Sequence, residues 1–302
     1  MKNDSVTKYR IFKQYIESDG YTKALNKLLV NGLYKHFTNY SNFLIKGNKY
    51  PQNIIFITGL AKSGTSWIAN IFSSLDGFDR FIPLGWRTFG PLRPERIYDM
   101  YDLYPNIFNE FRHRLAVIKG HTWARPNNIN MLKASGLKYL IPVRDPRDKI
   151  ISQYWYIRNR PNHWDHTLAC SKSLNEYITY KLNSGEYENQ SIEWLRMWMK
   201  YRDNEKSIII RYEDVLDNTN VQIRNALGFL EIECCDNDIR RIIEKNSVGR
   251  YSGRNRADGN SESVYRRGIY GEWKEVFDDQ QKEMFRQIGE DTIEALGYEQ
   301  TK

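Results

Sequence analysis

Residues 53–72 read NIIFITGLAKSGTSWIANIF. They open on an apolar run, Ile54, Ile55, Phe56 and Ile57, whose β-branched and aromatic side chains predict a buried strand. A tight loop follows at residues 58–66, carrying Gly59 and Gly64, and behind it Trp67, Ile68, Ile71 and Phe72 fall on helical spacing. Strand, glycine-bearing loop and helix together aim the N–H groups of a helix N-terminus, and the positive end of its dipole, into the loop. An anion belongs there, and a phosphate fits best.

The loop comes close to the nucleotide pattern G-x-x-x-x-G-K-[ST]. Gly59 and Gly64 meet it, but Thr65 stands where the lysine is required. The loop's lysine is Lys62. A lysine after the second glycine would reach the outer phosphates of a triphosphate. Lys62 is placed instead beside the first phosphate group, where a diester or mixed anhydride would break. A chance glycine-rich turn would show the same letters, so this loop by itself leaves the ligand open.

The chain has 302 residues, 40% of them hydrophobic and 14% aromatic, enough to bury a sizeable core and too apolar for a disordered chain. Its formal net charge is +8, which suits an anionic ligand, a nucleic acid or an anionic surface. Because 45 basic residues are set against 37 acidic ones along the whole chain, a mixed solvated surface is expected rather than a nucleic-acid footprint. Cys170, Cys234 and Cys235 cannot build a disulfide framework and lack metal-ligand spacing. A reducing cytoplasm is the expected location, since the first residues show no apolar core of the signal-peptide kind. No apolar run of membrane-spanning length occurs.

Further along, apolar runs predict strands at residues 80–84, 115–121, 138–144 and 207–212. Helical spacing predicts helices at 146–157, 191–201 and 221–229. Residues 1–50 read as a helical lead-in, with Tyr9, Phe12, Tyr15 and Ile16 and then Ala24, Leu25, Leu28, Leu29 and Leu33 at helical spacing and basic residues between them. Such a helix could lie on a membrane surface, but packing on the main domain is the commoner solution and is expected here. Strands alternating with helices imply parallel pairing with right-handed crossovers. The fold class is therefore α/β: one P-loop-like, three-layer domain over residues 51–302, with a central parallel sheet flanked by helices. Ligands on such sheets bind beyond the carboxyl ends of the strands, where the first loop, His121, Arg144 and Tyr212 fall.

Four pieces carry the chemistry. They are the Lys62 loop; Lys119-Gly120-His121 at a strand end; Arg144 at another strand end with Ser152 eight residues on; and residues 265–274, YRRGIYGEWK, which pair Arg266 and Arg267 with Gly268 and Gly271. Two arginines between flexible glycines suit closure around a phosphate.

Together these resemble the sulfotransferases that use 3′-phosphoadenosine-5′-phosphosulfate (PAPS). LAKSGTSW resembles the family's 5′-phosphosulfate loop, PKSGTTW. Arg144-x7-Ser152 resembles its 3′-phosphate pair, RRGIYGEWK its C-terminal RKGxxGDWK signature, Arg211-Tyr212-Glu213-Asp214 its YED segment and KGH its K-T-H strand. The motifs keep the family's order from residue 53 to residue 298.

The resemblance implies that Lys62, Ser63, Gly64, Thr65, Ser66 and Trp67 hold the 5′-phosphosulfate. Arg144, Ser152, Arg266, Arg267 and Gly268 would hold the 3′-phosphate, and Tyr212 would lie on the adenine side. His121 becomes the catalytic base, with Lys62 and Lys119 stabilising charge. PAPS is the implied donor, the bisphosphate PAP the product, and no metal is required. A neutral imidazole suits proton abstraction near neutral pH, and cations beside a helix N-terminus suit a leaving phosphate.

The acceptor is expected to be a small hydroxylated molecule, a bacterial specialised metabolite or glycolipid precursor, with amines less favoured. Trp86, Phe89, Trp155, His163 and Trp164 offer an aromatic lining for it in and around residues 85–96 and 158–172. His163-Trp164-Asp165-His166 also invites a metal reading, but two histidines three residues apart without further ligands do not make a site. Where the family carries Thr-Val in a dimer-contact segment, this chain has Asp278-Asp279, and like charges at the centre of a small symmetric contact repel, so that mode of dimerisation is not expected. A P-loop kinase would need a lysine at position 65 and a Mg²⁺-binding aspartate at a strand end, a role only Asp145 could take. A single-strand nucleic-acid binder would need its basic residues gathered on one element.

Overall fold

The computed structural model describes residues 21–86, 101–247 and 268–301, with side chains from residue 34 onward. Phe89, Arg266, Arg267 and residues 1–20 lie outside the described residues. Five strands form one parallel sheet: β1 (Ile54–Thr58), β2 (Asp79–Phe81), β3 (Ala116–Gly120), β4 (Tyr139–Val143) and β5 (Ser207–Arg211), in the order β2-β3-β1-β4-β5. The helices are α1 (Tyr21–Lys46), α2 (Thr65–Phe72), α3 (Pro126–Ser135), α4 (Pro146–Arg158), α5 (His166–Ser171), α6 (Leu174–Asn183), α7 (Glu193–Tyr201), α8 (Tyr212–Asp217), α9 (Thr219–Phe229), α10 (Asp236–Lys245), α11 (Trp273–Val276) and α12 (Asp279–Ala295).

The alternation of side chains along a strand makes the layers. In β1, Ile54 and Phe56 feed one core while Ile55 and Ile57 feed the other; in β3, Ala116 and Ile118 are separated from Val117 in the same way. One core takes residues of α4, α6, α7 and α12, and the other takes residues of α2, α9 and α10. Every residue of β1 is buried, as a strand covered on both faces must be. Each such side chain contributes about 1.5–3 kcal/mol through burial.

Two boundaries differ from the sequence expectation. The strand expected at 80–84 is β2 at Asp79–Phe81, followed by a 3₁₀ turn at Leu84–Trp86. Pro83 has no N–H to donate to a ladder, so pairing stops before it. Tyr212 does not extend β5 but opens α8.

The connection from β1 runs to β2 on one side of the sheet, and that from β4 runs to β5 on the other. The strand ends therefore diverge between β1 and β4, which is the switch point where α/β sheets hold ligands. The two strands come very close there: a Cβ on Gly59 would lie 2.6 Å from the Pro142 carbonyl oxygen.

Candidate active site

The loop after β1 is closed by its own backbone. Ser63 N donates to the Leu60 carbonyl at 3.2 Å, and Trp67 N and Ile68 N donate to Gly64 O at 2.9 and 3.0 Å. Gly64 caps α2 with φ 72°, in the left-handed region, and a Cβ there would lie 2.5 Å from Tyr212 Cδ2. Lys62 has φ 75° without glycine's exemption, a strain of about 1–2 kcal/mol kept where a charged side chain leaves the loop. Thr65, at the position of the nucleotide-loop lysine, is buried and donates through Oγ1 to Leu60 O at 3.2 Å. That bond braces the loop from within.

Cations gather around this turn. Lys62 Nζ lies 4.4 Å from the Tyr156 ring centroid, and the Arg160 guanidinium lies at the same 4.4 Å from that ring. Lys119, near the end of β3, donates to Ser66 Oγ at 3.3 Å. Burial, and to a smaller degree the Arg80 charge, pushes its ammonium down to about 8.

His121 follows β3. Its Nδ1 is 2.5 Å from the Gly59 carbonyl oxygen. A carbonyl can only accept, so the proton sits on Nδ1 and Nε2 is the basic nitrogen. The backbone behind it is pinned, because the Thr122 carbonyl accepts from Thr58 Oγ1 (3.3 Å), Trp194 Nε1 (3.0 Å) and Trp198 Nε1 (2.9 Å). Gly120 has its own reason: a Cβ there would lie 2.9 Å from the Trp86 ring, so glycine between Lys119 and His121 and tryptophan at 86 require one another.

Beyond β4, Arg144 is buried with its guanidinium 4.7 Å from the Tyr212 ring. It donates to carbonyl oxygens of Lys62 (3.3 Å) and Ile269 (3.1 Å). Its neighbouring carboxylates are committed elsewhere. Asp145 is held by Arg147 Nε and Nη2 at 3.0 and 2.7 Å, and Arg147 also stacks 3.7 Å from the Trp273 ring and donates to Glu299 O and Thr301 Oγ1. Asp148 accepts from Gly271 N (2.5 Å) and Trp273 N (3.0 Å), and burial pushes its carboxyl up against the pull of Arg144. Glu213 accepts from Asp145 N at 3.0 Å and from Tyr298 Oη at 2.9 Å. The C-terminal segment is thus drawn onto the same strand ends as the loop. Among the described residues, the buried polar atoms without a hydrogen-bond partner at these strand ends include Ser63 Oγ and Arg144 Nε, together with Thr122 Oγ1 after β3 and Arg211 Nε at the end of β5.

A sequence profile described as "Sulfotransferase domain" matches residues 52–297. The chain belongs to the sulfotransferase family. It is 22% identical to rat (Rattus norvegicus) sulfotransferase 2A1 over 78% of this chain and 82% of that one. It is 23% identical to Arabidopsis thaliana cytosolic sulfotransferase 15 over 64% of this chain and 55% of that one, so that alignment spans little more than half of its relative. The fold is similar to that of mouse sulfotransferase SULT7A1 complexed with PAP (TM-score 0.62, 18% identity, 85% of this chain and 91% of that one). It is also similar to retinol dehydratase in complex with androsterone and PAP (TM-score 0.53, 18% identity, 84% and 85%).

Of the residues that the sequence marks for a donor, the loop, Arg144 and Tyr212 are in mutual contact. Lys62 to Trp67 form the loop and the start of α2. Tyr212 lies against Arg144, Gly64 and, edge-on at 5.9 Å, Trp67. Trp67 is buried and donates to the Asn246 carbonyl at 2.7 Å. Ser152 is buried on α4, two turns after Arg144, and Gly268 has φ 64° just ahead of Ile269.

The described aromatics proposed for the acceptor differ in burial. Trp86 is buried, with Nε1 donating to Asp102 O. Trp155 packs edge-on against Tyr154, and Trp164 is 80% exposed and stacked 4.1 Å from His163. Burial holds the His163 imidazole below its usual range. Among the described residues no group of three or more His, Cys, Asp or Glu is arranged to hold a metal ion.

Sequence reading missed Arg147, Asp148, Tyr156 and Asn246. Arg147 and Asp148 join α4 to a segment more than a hundred residues away, and no local spacing signals that. Tyr156, four residues after Ser152 on α4, is where a helical-face reading could have found it.

Proposed function

We propose that this chain transfers a sulfuryl group from PAPS to a hydroxyl of a small-molecule acceptor, in the cytoplasm, releasing PAP. The observation that carries the reading is the pair of buried, partnerless polar atoms, Ser63 Oγ and Arg144 Nε, in elements joined by the contact of Arg144 with the Lys62 carbonyl. A hydroxyl and a cationic N–H both lack an acceptor, and phosphate oxygens are acceptors only. The PAP bound to the mouse enzyme and to retinol dehydratase supports the same donor.

Lys62, Ser63, Gly64, Thr65, Ser66 and Trp67 would hold the 5′ end of the nucleotide. Arg144, Ser152, Arg266, Arg267 and Gly268 would hold its 3′-phosphate, with Tyr212 on the adenine side. Bound there, the donor supplies an electrophilic sulfur and a phosphate leaving group. His121 takes the acceptor's proton at Nε2, and the Gly59 carbonyl on Nδ1 keeps that tautomer and stabilises the imidazolium that forms. Lys62, and Lys119 steadied by Ser66, place positive charge where negative charge develops. Trp155, His163, Trp164 and Phe89 form the proposed acceptor lining, and Trp86 contributes by backing Gly120 beneath His121.

Calorimetric titration tests this. Wild type and Arg144→Ala are titrated with PAP, with the analogue lacking the 3′-phosphate, and with Mg-ATP. Wild type is expected to bind PAP tightly without metal and ATP weakly, and Arg144→Ala to lose about 1.5–3 kcal/mol for PAP alone. Equal loss for both adenosine nucleotides would remove Arg144 from the 3′-phosphate site. Preference for Mg-ATP would hand the loop to a kinase reading, against which stand the buried Thr65 and the engagement of Asp145 by Arg147.

A further inference from the structure

His166 and Cys170 stand one turn apart on α5, so their side chains share a face of the helix. His166 Nδ1 lies 3.1 Å from the Ile157 carbonyl oxygen. A carbonyl can only accept, so Nδ1 carries the proton and Nε2 holds the lone pair. Cys170 Sγ lies 3.4 Å from that Nε2, against 3.8 Å from Nδ1 and 4.0 Å from the Arg158 carbonyl oxygen. The thiol is exposed to solvent with a base beside it. A nucleophile, its base and a group that orients the base are the parts of an activated thiol.

The other two thiols have the opposite surroundings. Cys235 is exposed too, but its Sγ donates to the Asp238 carboxylate at 3.3 Å, and a neighbouring carboxylate disfavours a thiolate. Cys234 is half-buried, and burial, followed by the Asp238 charge, pushes its thiol up. The carboxylate that precedes α5, Asp165, is taken by Lys181 at 3.0 Å. Arg158 donates to the Ala169 carbonyl at 3.1 Å, next to the thiol in sequence, and Lys172 Nζ lies 5.4 Å from the Tyr180 ring. Cys170 thus sits by an imidazole, and the other two cysteines sit by an acid.

We propose that Cys170 is a nucleophilic thiol served by His166, and a modification site for hydroperoxides and soft electrophiles. With a hydroperoxide, the sulfur attacks one peroxide oxygen, so that an S–O bond forms and the O–O bond breaks. The thiol is oxidised by two electrons to a sulfenic acid, and the hydroperoxide is reduced to an alcohol or water. His166 Nε2 takes the thiol proton, and the leaving oxygen receives it. No residue assigned to the donor takes part, so the inference is independent of the sulfuryl-transfer reading.

The experiment is alkylation of the full, reduced chain with iodoacetamide at about pH 7, each cysteine followed by peptide mass spectrometry. Cys170 is expected to react on the order of tenfold faster than Cys235. His166→Gln can still donate to the Ile157 carbonyl but cannot take a proton. It should slow Cys170 on the order of tenfold while Cys235 keeps its rate. At about pH 10 thiols ionise without help, and there wild type and His166→Gln should react alike. Dilute hydrogen peroxide with dimedone should label Cys170 ahead of the other two cysteines. Equal alkylation of Cys170 and Cys235 would overturn the proposal, as would an unchanged Cys170 rate in His166→Gln or dimedone labelling of another cysteine first. A variant slow at both pH values would overturn it too, because His166 would then only shape access to the thiol. His166→Ala is the second variant should His166→Gln not fold, as judged by circular dichroism, and the same outcomes apply to it.

Discussion

The proposed donor loop at residues 59–67 and the segment at 158–172 are both tied to α4, yet their side chains are held in different ways. Around the loop, hydrogen bonds are long-range and buried or half-buried: Arg144 reaches residues 62 and 269, Trp67 reaches Asn246, and Thr122 takes three donors on one carbonyl. Around residues 158–172 the partners lie closer along the chain: Asp165 N donates to His163, His166 Nδ1 meets the Ile157 carbonyl, Trp164 stacks on its sequence neighbour in the open, and the longer ties, Lys181 to Asp165 and Tyr154 to the Lys172 carbonyl, stay between adjoining helices. A group that always receives the same nucleotide can be built rigidly. A wall that meets an acceptor is made of side chains whose positions cost little to change.

The largest effect expected from breaking the rigid side is chemical. His121→Ala should lower the rate of transfer by about 10²–10⁴-fold while PAP affinity is kept. Turnover measured at wild-type rate would remove His121 as the base. Next comes Arg147→Ala, which leaves Asp145 buried with no cation and takes away the contact with Trp273. A loss of about 3–5 kcal/mol in urea unfolding is expected, and a loss under 1 kcal/mol would show that the α4–C-terminus clasp is not what holds the donor side.

A smaller effect should follow pH. Below about 8, Lys119 is charged with or without ligand. Above it, binding a phosphate must bring a proton along, so PAP affinity should fall as pH rises, by up to about tenfold per unit. Lys119→Met should flatten that profile in calorimetry, and an unchanged profile would place Lys119 away from the anion. The smallest effect belongs to the open side: Trp164→Ala should change stability by no more than about 0.5 kcal/mol. A larger loss would show that residues 158–172 are packed as firmly as the loop and would erase the contrast.

Much of the rigid side was legible because its signals are local. Buried parallel strands read as continuous apolar runs, so β1, β3, β4 and β5 could be placed to within a residue or two. Helix α4 was expected at 146–157 and occupies Pro146–Arg158, since Asp145 caps it and Pro146 opens it. Helix α7, expected at 191–201, begins at Glu193 after a π turn at Glu188–Ile192, an irregularity that periodicity does not show. Asp278, read as a broken dimer contact, caps α12 through Gln281 N at 2.8 Å, which gives the residue a local purpose independent of any partner.

The aromatic lining was the least legible part. Composition could name Trp86, Trp155 and Trp164, but composition does not say which ring is buried, and the three lie in different surroundings. Helix α1 shows the same limit from the other side: helical spacing was read from Ala24 to Leu33, and it did not say that Asn39 would be buried and Phe37 exposed.

The sequence by itself determined the parallel α/β order, the strand-loop-helix at residues 54–72 and the family, because these rest on contacts between residues a few positions apart and on motifs in a fixed order. Only the tertiary structure decided that Asp145 is engaged by Arg147, that Gly120 yields its side-chain space to Trp86, and that α1 hides Asn39 and shows Phe37. Each of those depends on which distant groups compete for a partner or for volume, and that competition is settled only when the whole chain is packed.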